Sequence, residues 1–259
     1  MITLTTDFGL KDPYVAEMKG VILTINPKAQ IIDLSHGVDK FNVRTGAFIL
    51  ASAVRYFPSG TIHVAVVDPG VGTKRRAILV QTKKDFFVGP DNGILILAAQ
   101  NQIIEHIYQL SNSKFLSSQV STTFHGRDVF APAAAYLDLG TEPSEFGSEI
   151  YDVMTPDFTI MKYNHGIFMG EILYLDSFGN IITNIISEEI LKAKAVNIEL
   201  HNVTLNLSFV KNYTQAKPSE PIALIGSHGF VEIALNQSSA AKKLHVQIGD
   251  KIKITAASL

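Results

Sequence analysis

Three apolar runs that each end on an acid most constrain what this chain can fold into. Residues 2–6 lead into Asp7, residues 31–32 into Asp33, and residues 61–67 into Asp68. Between them Val15, Met18, Val21, Ile22 and Ile25 recur at helical spacing behind Asp12 and Pro13, which read as an N-cap and a first helical residue. A second helical pattern covers residues 43–56. Strand, helix, strand, helix, strand is the grammar of an open α/β sheet. Run 61–67 is rich in β-branched residues and continuous enough to be buried on both faces, as in a parallel sheet. Ligands of such sheets bind beyond the carboxyl ends of the strands, which is where Asp7 and Asp68 stand.

Asp68 opens the loop VDPGVGTKRR (67–76). Its proline and glycines suit a tight turn or close approach of backbone to a ligand, and Arg75 and Arg76 return positive charge within reach of the acid. On composition alone this is equally a Pro-Gly turn with solvated charges.

Residues 77–82 and 85–89 alternate as a hairpin turning at Lys83 and Lys84, GPDNG (89–93) punctuates the chain, and 94–100 reads as an apolar helix. Serine-rich residues 112–123 read as a surface loop, after which come His125, Gly126, Arg127 and Asp128, and a helix with Pro132 near its start. From 142 to 165 periodicity is lost among Pro, Ser, Gly and Asp, which marks a boundary. The expected division is an α/β domain over 1–155, a linker over 156–165 and a second domain over 166–259. In the latter, runs at 166–175, 195–200, 203–209, 221–225, 230–235 and 251–255, with one modest helix near 188–193, argue a small antiparallel β domain. The fold class expected is therefore an amino-terminal α/β domain, mostly parallel sheet with flanking helices, plus a smaller carboxy-terminal β-barrel domain.

Composition removes several function classes. A net charge of −2 offers no basic field for nucleic acid. The chain has no cysteine, which excludes disulfides, thiolate metal sites and a cysteine nucleophile and fits a reducing cytoplasm. The first residues, MITLTTDFGLKD, lack the apolar core of a signal peptide, and no apolar run approaches the about 18 residues of a membrane helix, so a soluble intracellular protein is expected. The histidines are scattered, without the spacing of a zinc helix, so no metal is expected. Neither a phosphate loop nor a dinucleotide fingerprint occurs, and Gly226-Ser227-His228-Gly229 is only superficially like a nucleophile elbow. Acid, base and orientation chemistry on an uncharged or cationic small ligand remains.

Each polar cluster has a plain structural alternative. Asp7 could cap its own turn, His125 could be a satisfied structural histidine, Phe178, Gly179 and Asn180 could simply join strands, and Asp176 could be a turn acid. Glu232 alternates with Val231 and Ile233 as an outward strand residue would.

Taken in order, TTDFG (5–9), VDPGVGTKRR, GPDNG, TFHGRDVFAP (123–132), DSFGNIITN (176–184) and GSHGFVEIALNQSSAA (226–241) are jointly specific. The chain resembles, over nearly its whole length, the S-adenosyl-L-methionine (SAM) hydroxide adenosyltransferase family, the adenosine-forming SAM hydrolases. The resemblance implies an α/β domain, a β-barrel domain and a homotrimer with active sites between subunits. It implies that water displaces L-methionine from ribose C5′ to give adenosine, without cofactor or metal. Asp68, Arg75 and His125 match the family's set for the water nucleophile, and Asp7 matches the carboxylate that grips the ribose hydroxyls. Asn180, in the turn with Phe178, matches the residue near the purine. Asp176 lies close to the acid that holds the methionine amine, although the related halogenase motif has one more residue there. Ser227 matches a methionine-carboxylate contact, and the segment from Glu232 through Leu235 to Gln237 matches the strand that lines adenine.

A sulfonium departs as a neutral thioether, so only the nucleophile needs help. A carboxylate clamped by arginine stays charged and is a weaker base, which points Asp68 towards orienting water and leaves His125 as a possible proton acceptor. Two rivals remain: a halide-using adenosyltransferase of the fluorinase and chlorinase kind, disfavoured by Asp68 and His125, and a SAM or adenosine sensor without turnover.

Overall fold

The first apolar run forms strand β1 (Ile2–Thr6), buried along its length. It is flanked in parallel by β2 (Ile31–Ser35) and β3 (Ile62–Val66), and every residue of β3 is buried. The hairpin at Lys83 and Lys84 joins β4 (Ala77–Thr82) to β5 (Phe86–Pro90), and β6 (Ile104–Gln109) pairs antiparallel with β4. The sheet order is β2-β1-β3-β5-β4-β6. It is a mixed sheet that stays mostly parallel: β2, β1, β3 and β5 run together, the tight hairpin turns β4 back against them, and β6, antiparallel to β4, runs with the first four. Strand β6 has no sequence expectation behind it because Glu105 and His106 interrupt the apolar pattern and lie exposed at the sheet edge.

Helix α1 (Tyr14–Ile25) starts at Tyr14 behind Pro13 with no side-chain cap, so Asp12 does not cap it. Helix α2 (Val43–Ala53) is capped by Asn42, whose side chain accepts the Thr45 N–H at 3.0 Å. The short α3 (Ile96–Gln100) follows β5, and α4 (Ala131–Asp138) ends the α/β core. α1 packs on α4 and α2 on α3. Alternation along the strands sends Ile2, Leu4, Val64 and Val66 into one core with Met18, Ile22 and Ala134. On the other face α2 comes close, since a Cβ on Gly46 would lie 3.1 Å from Val67 and 3.0 Å from Ile94.

The structure, a computed structural model, describes residues 1–186, 188–201, 203–218 and 220–256. The chain divides into two units, Met1–Pro156 and Asp157–Leu259. The stretch 156–165 carries a 3-10 turn at Asp157–Thr159 and strand β7 (Lys162–Asn164), which pairs with β8 (Ile167–Leu175).

After β8 come β9 (Ile181–Thr183), the helical turn α5 (Glu188–Leu191), β10 (Ala195–Leu200), β11 (Val203–Phe209), β12 (Pro221–Ile225), β13 (Val231–Leu235), α6 (Ala240–Leu244) and β14 (Lys251–Ala256). The order β14-β10-β11-β12-β13-β9-β8 closes on itself through β14–β8 pairing, a barrel of seven strands around Ile172, Val196, Ile198, Ile233 and Ile254. It is not wholly antiparallel: β11 and β12 run parallel, because the chain crosses through a 3-10 turn at Tyr213–Gln215 before re-entering the sheet. Strand β9 and helix α6 are too short to show periodicity. No helix among the described residues is long and apolar enough to cross a membrane.

Candidate active site

The buried β3 delivers Asp68 at its carboxyl end, with a side chain 5% exposed, and the loop beyond folds back so that Arg75 reaches it. Arg75 Nε donates to Asp68 Oδ1 at 3.1 Å and Nη2 to Oδ2. The guanidinium lies over the Phe130 ring, 5.5 Å from its centre. Nη2 also donates to His125 Nδ1 at 3.0 Å. Arginine has no acceptor, so Nδ1 must be the bare nitrogen and the proton of the neutral ring sits on Nε2. Burial and then the Arg75 charge lower the His125 pKa, with Asp68 and Asp128 opposing. His125 is therefore poised as a donor through Nε2–H, and the proton-acceptor role considered above would cost the Arg75 bond.

His125 opens a π-helical turn, Gly126–Phe130, which runs into α4. Such turns occur often at functional sites. Asp128, 3% exposed, accepts from Arg127 at 2.7 and 3.0 Å and from the Ser121 N–H at 2.8 Å. Burial raises its pKa, but these bonds outweigh burial and hold the group below the usual carboxylate range. Arg127 also reaches Glu17 at 2.9 Å. The stretch 112–123 is thus more than a surface loop: Phe115 is in the core, and Ser121 and Thr123 line the site.

A cavity of about 610 Å³ opens over Asp7, Asp68 and His125, with Arg75 behind the last two. Its apolar wall is a cluster of Phe8, Tyr14 and Phe124, whose rings meet edge to face with centres 5.2 to 5.7 Å apart. Asp7 does not cap its own turn. Thr6 Oγ1 takes the Phe8 N–H, while Asp7 Oδ2 accepts the Phe41 N–H at 2.9 Å and its carbonyl accepts from Lys40 Nζ. Phe41, at φ 63°, and Lys40 both line the cavity. Neither was marked by any sequence pattern.

The GPDNG segment braces this loop at both ends. Asn92 Nδ2 donates to the Val67 carbonyl at 2.8 Å, fixing the peptide before Asp68. Asp91 accepts from Arg76 at 2.7 and 3.0 Å and gives its own N–H to the Arg76 carbonyl, while Arg76 also pairs with Asp152 at 2.7 Å. Arg76 is structural. Of the glycines, Gly72 is required at φ 76°, because a Cβ there would lie 2.3 Å from the Thr122 carbonyl oxygen. The room it makes is for the neighbouring loop, not for a ligand. Gly70 has no such demand, with nothing nearer than 3.6 Å.

In the second unit, Asp176, Phe178, Asn180, Ser227, Glu232, Leu235 and Gln237 all line one pocket of about 700 Å³. Asp176 is a turn acid. Its Oδ1 accepts the N–H groups of Phe178 and Asn180 at 2.9 and 2.8 Å, and Oδ2 takes Asn180 Nδ2 at 2.9 Å. Phe178 is 79% exposed at the rim. Glu232 alternates with the core residues Val231 and Ile233, but it faces a pocket rather than solvent. It is 3% exposed and accepts from Tyr213 Oη at 2.7 Å and from His228 Nε2 at 3.1 Å. The Phe230 N–H occupies His228 Nδ1, which fixes the proton on Nε2. Burial, then Glu232, push the Tyr213 phenol above its ordinary range. Tyr213 carries no sequence signal because a 3-10 turn has no period to read, and His228 is visible in the sequence only as part of the Gly226–Gly229 loop. Among the described residues no group of three or more acidic or histidine side chains is placed to hold a metal ion.

Two family models match the chain: the SAM hydroxide adenosyltransferase N-terminal domain over residues 2–147 and the C-terminal domain over residues 170–253. The chain is 37% identical to an (R)-S-adenosyl-L-methionine hydrolase of Methanocaldococcus jannaschii, over 98% of this chain and 95% of the relative. It is 26% identical to a fluorinase of an Actinoplanes species, over 99% and 98%. An uncharacterized conserved protein of Thermotoga maritima superposes with a TM-score of 0.86 at 37% identity, over 98% of this chain and 100% of the other. With both units matched by their own models and the whole length by relatives, this chain belongs to the SAM hydroxide adenosyltransferase family.

Proposed function

We propose that the chain hydrolyses (R)-S-adenosyl-L-methionine by attack of water on ribose C5′, giving adenosine and L-methionine. The observation that carries this reading is the Asp68–Arg75–His125 arrangement beside Asp7 in one cavity. Each Asp68 oxygen takes one Arg75 N–H and keeps acceptor capacity, while His125 presents Nε2–H. A water that donates to Asp68 and accepts from His125 keeps a lone pair free for C5′. As the C5′–O bond forms and the C5′–S bond breaks, the bonding pair neutralises the sulfonium, and one water proton passes to Asp68 and on to solvent. Orientation of this kind lowers a barrier by up to roughly 7–11 kcal/mol at ideal geometry. Asp7 holds the ribose hydroxyls.

In the same reading the protein is a cytoplasmic homotrimer that needs no metal or organic cofactor. Light scattering at three times the chain mass supports the trimer, and a monomer refutes it. Purified protein given SAM should release adenosine and methionine in equal amounts, in chloride or fluoride buffer as in their absence. Formation of 5′-halo-5′-deoxyadenosine would replace this reading with the halide-using one, and tight binding without release would replace it with a sensor.

A further inference from the structure

Of the three acids that end apolar runs, Asp33 does not line the cavity, and the buried His36 takes no part in the chemistry described above. The two are joined. Between β1 and β2 the parallel register slips by one residue, from Leu4 opposite Asp33 to Thr5 opposite Ser35. Bulges in parallel pairs are rare, and bulges gather beside active sites, where they re-aim a side chain. This one brings the His36 ring, 5% exposed, against Thr6, the buried residue before Asp7. Its Nε2 lies 3.0 Å from Asp33 Oδ1, and Lys19 Nζ donates to Oδ2 at 2.7 Å. Burial raises the Asp33 pKa, but these partners outweigh burial and hold it below the usual carboxylate range. An ionised carboxylate only accepts, so the His36 proton sits on Nε2 and Nδ1 is bare in the neutral ring. Thr6 Oγ1, 2.9 Å from Nδ1, therefore donates to the ring and keeps its lone pairs for the Phe8 N–H at 3.2 Å. The His36 carbonyl in turn accepts the Gly9 N–H at 2.8 Å.

We infer that His36 and Thr6 are positioning residues for Asp7. Through the Asp33–His36–Thr6 chain on one side and the His36–Gly9 bond on the other, they hold the turn 6–9 so that the carboxylate meets both ribose hydroxyls. This rests on the proposed SAM reading, and within it on Asp7 as the acceptor for the ribose. A carboxylate that takes two O–H donors at once must be held to within about 0.5 Å. The Phe41 N–H fixes one Asp7 oxygen from outside, and the His36 contacts fix the backbone that carries it.

Calorimetry on the full chain, with adenosine and 2′,3′-dideoxyadenosine as probes, tests this without turnover. The second probe keeps the base and lacks the diol. Wild type should bind adenosine more tightly, and Asp7→Asn should remove that preference. Thr6→Val replaces the hydroxyl by a methyl of similar shape. It should weaken adenosine about threefold to tenfold, the range of one neutral hydrogen bond, and leave the dideoxy probe within about twofold. Thr6→Ser keeps the hydroxyl and should keep the preference. On an Asp7→Asn background Thr6→Val should add nothing, because the residues act as one unit. Equal weakening of both probes by Thr6→Val, a loss in Thr6→Ser as large as in Thr6→Val, or full additivity with Asp7→Asn overturns the inference. Should Thr6→Val not fold, Asp33→Ala, at a side chain 38% exposed, must show the same selective loss, since it leaves the Nε2–H without its acceptor and frees the ring. Wild-type protein without the preference, or a preference that Asp7→Asn leaves intact, overturns the ribose role of Asp7 and this inference with it. A preference that Asp7→Asn removes and Thr6→Val leaves intact overturns the inference alone.

Discussion

Arg75→Lys tests whether the proposed water site depends on a fork or merely on a charge. The guanidinium makes four donations: Nε and Nη2 to Asp68, Nη2 to His125, and Nη1 to the Arg76 carbonyl at 3.0 Å. Its side chain is 8% exposed, so solvent cannot replace them. A lysine keeps the charge but has one nitrogen, which can hold one Asp68 oxygen and not the second together with His125. Losing one hydrogen bond to a buried carboxylate costs about 1.5–3 kcal/mol. Freed Nδ1 also lets His125 exchange tautomers, which misplaces the Nε2–H donor. Together these should lower kcat about 10²-fold, or about 2.7 kcal/mol of barrier. KM should stay within about threefold, since the groups touched act on water rather than on bound SAM. The assay is adenosine release by chromatography across substrate concentrations, with a melting curve to confirm that the variant is folded. A folded variant with near wild-type kcat, or one whose loss lies wholly in KM, would refute the argument.

Gly72→Ala should destabilise by about 2 kcal/mol or more, because a left-handed backbone alone costs a residue with a Cβ about 1–2 kcal/mol and the Thr122 carbonyl must also move. Differential scanning calorimetry should show it, and an unchanged melting temperature refutes the steric reading. His63 is fully buried, with Nδ1 2.7 Å from Thr3 Oγ1 and Nε2 3.5 Å from Asp85. Burial lowers its pKa below 6.5 against the pull of Asp85. Below that value the unfolded chain takes up a proton that the native ring refuses, so stability falls as pH drops from 6.5 towards the lowered native value. Urea melts at pH 7 and pH 5 should show a smaller loss for His63→Gln than for wild type, and equal losses would show that His63 does not carry this dependence.

The strand-then-acid rhythm was readable because a buried parallel strand needs an unbroken apolar run, and Asp68 follows directly from it. Position also placed Asp7 and His125, but not their partners. That Asp7 receives the Phe41 N–H depends on a left-handed residue that no local rule places there. Asp176 shows two roles that a sequence cannot separate, since local hydrogen bonding makes it the keystone of its own turn while it also lines the pocket to which the motif match points. Glu232 followed strand alternation on paper, but a closed barrel with an added pocket buried what the period would expose. The parallel β11–β12 pairing depends on a crossover, and topology of that kind is set by where the chain returns rather than by composition.

Bracing by Asn92 and Asp91 bears on motion as well as position. Groups on loops usually share the loop's freedom, and ordering them when a ligand arrives has an entropic cost. Here the segment from Asp68 to Arg75 is pinned at Val67 and at Arg76 by one short connection between β5 and α3, so that it behaves as a ring tied to the sheet. The amides around Asp68 should then exchange their hydrogens with the slow kinetics of the sheet interior, and opening at Asn92 should release them together.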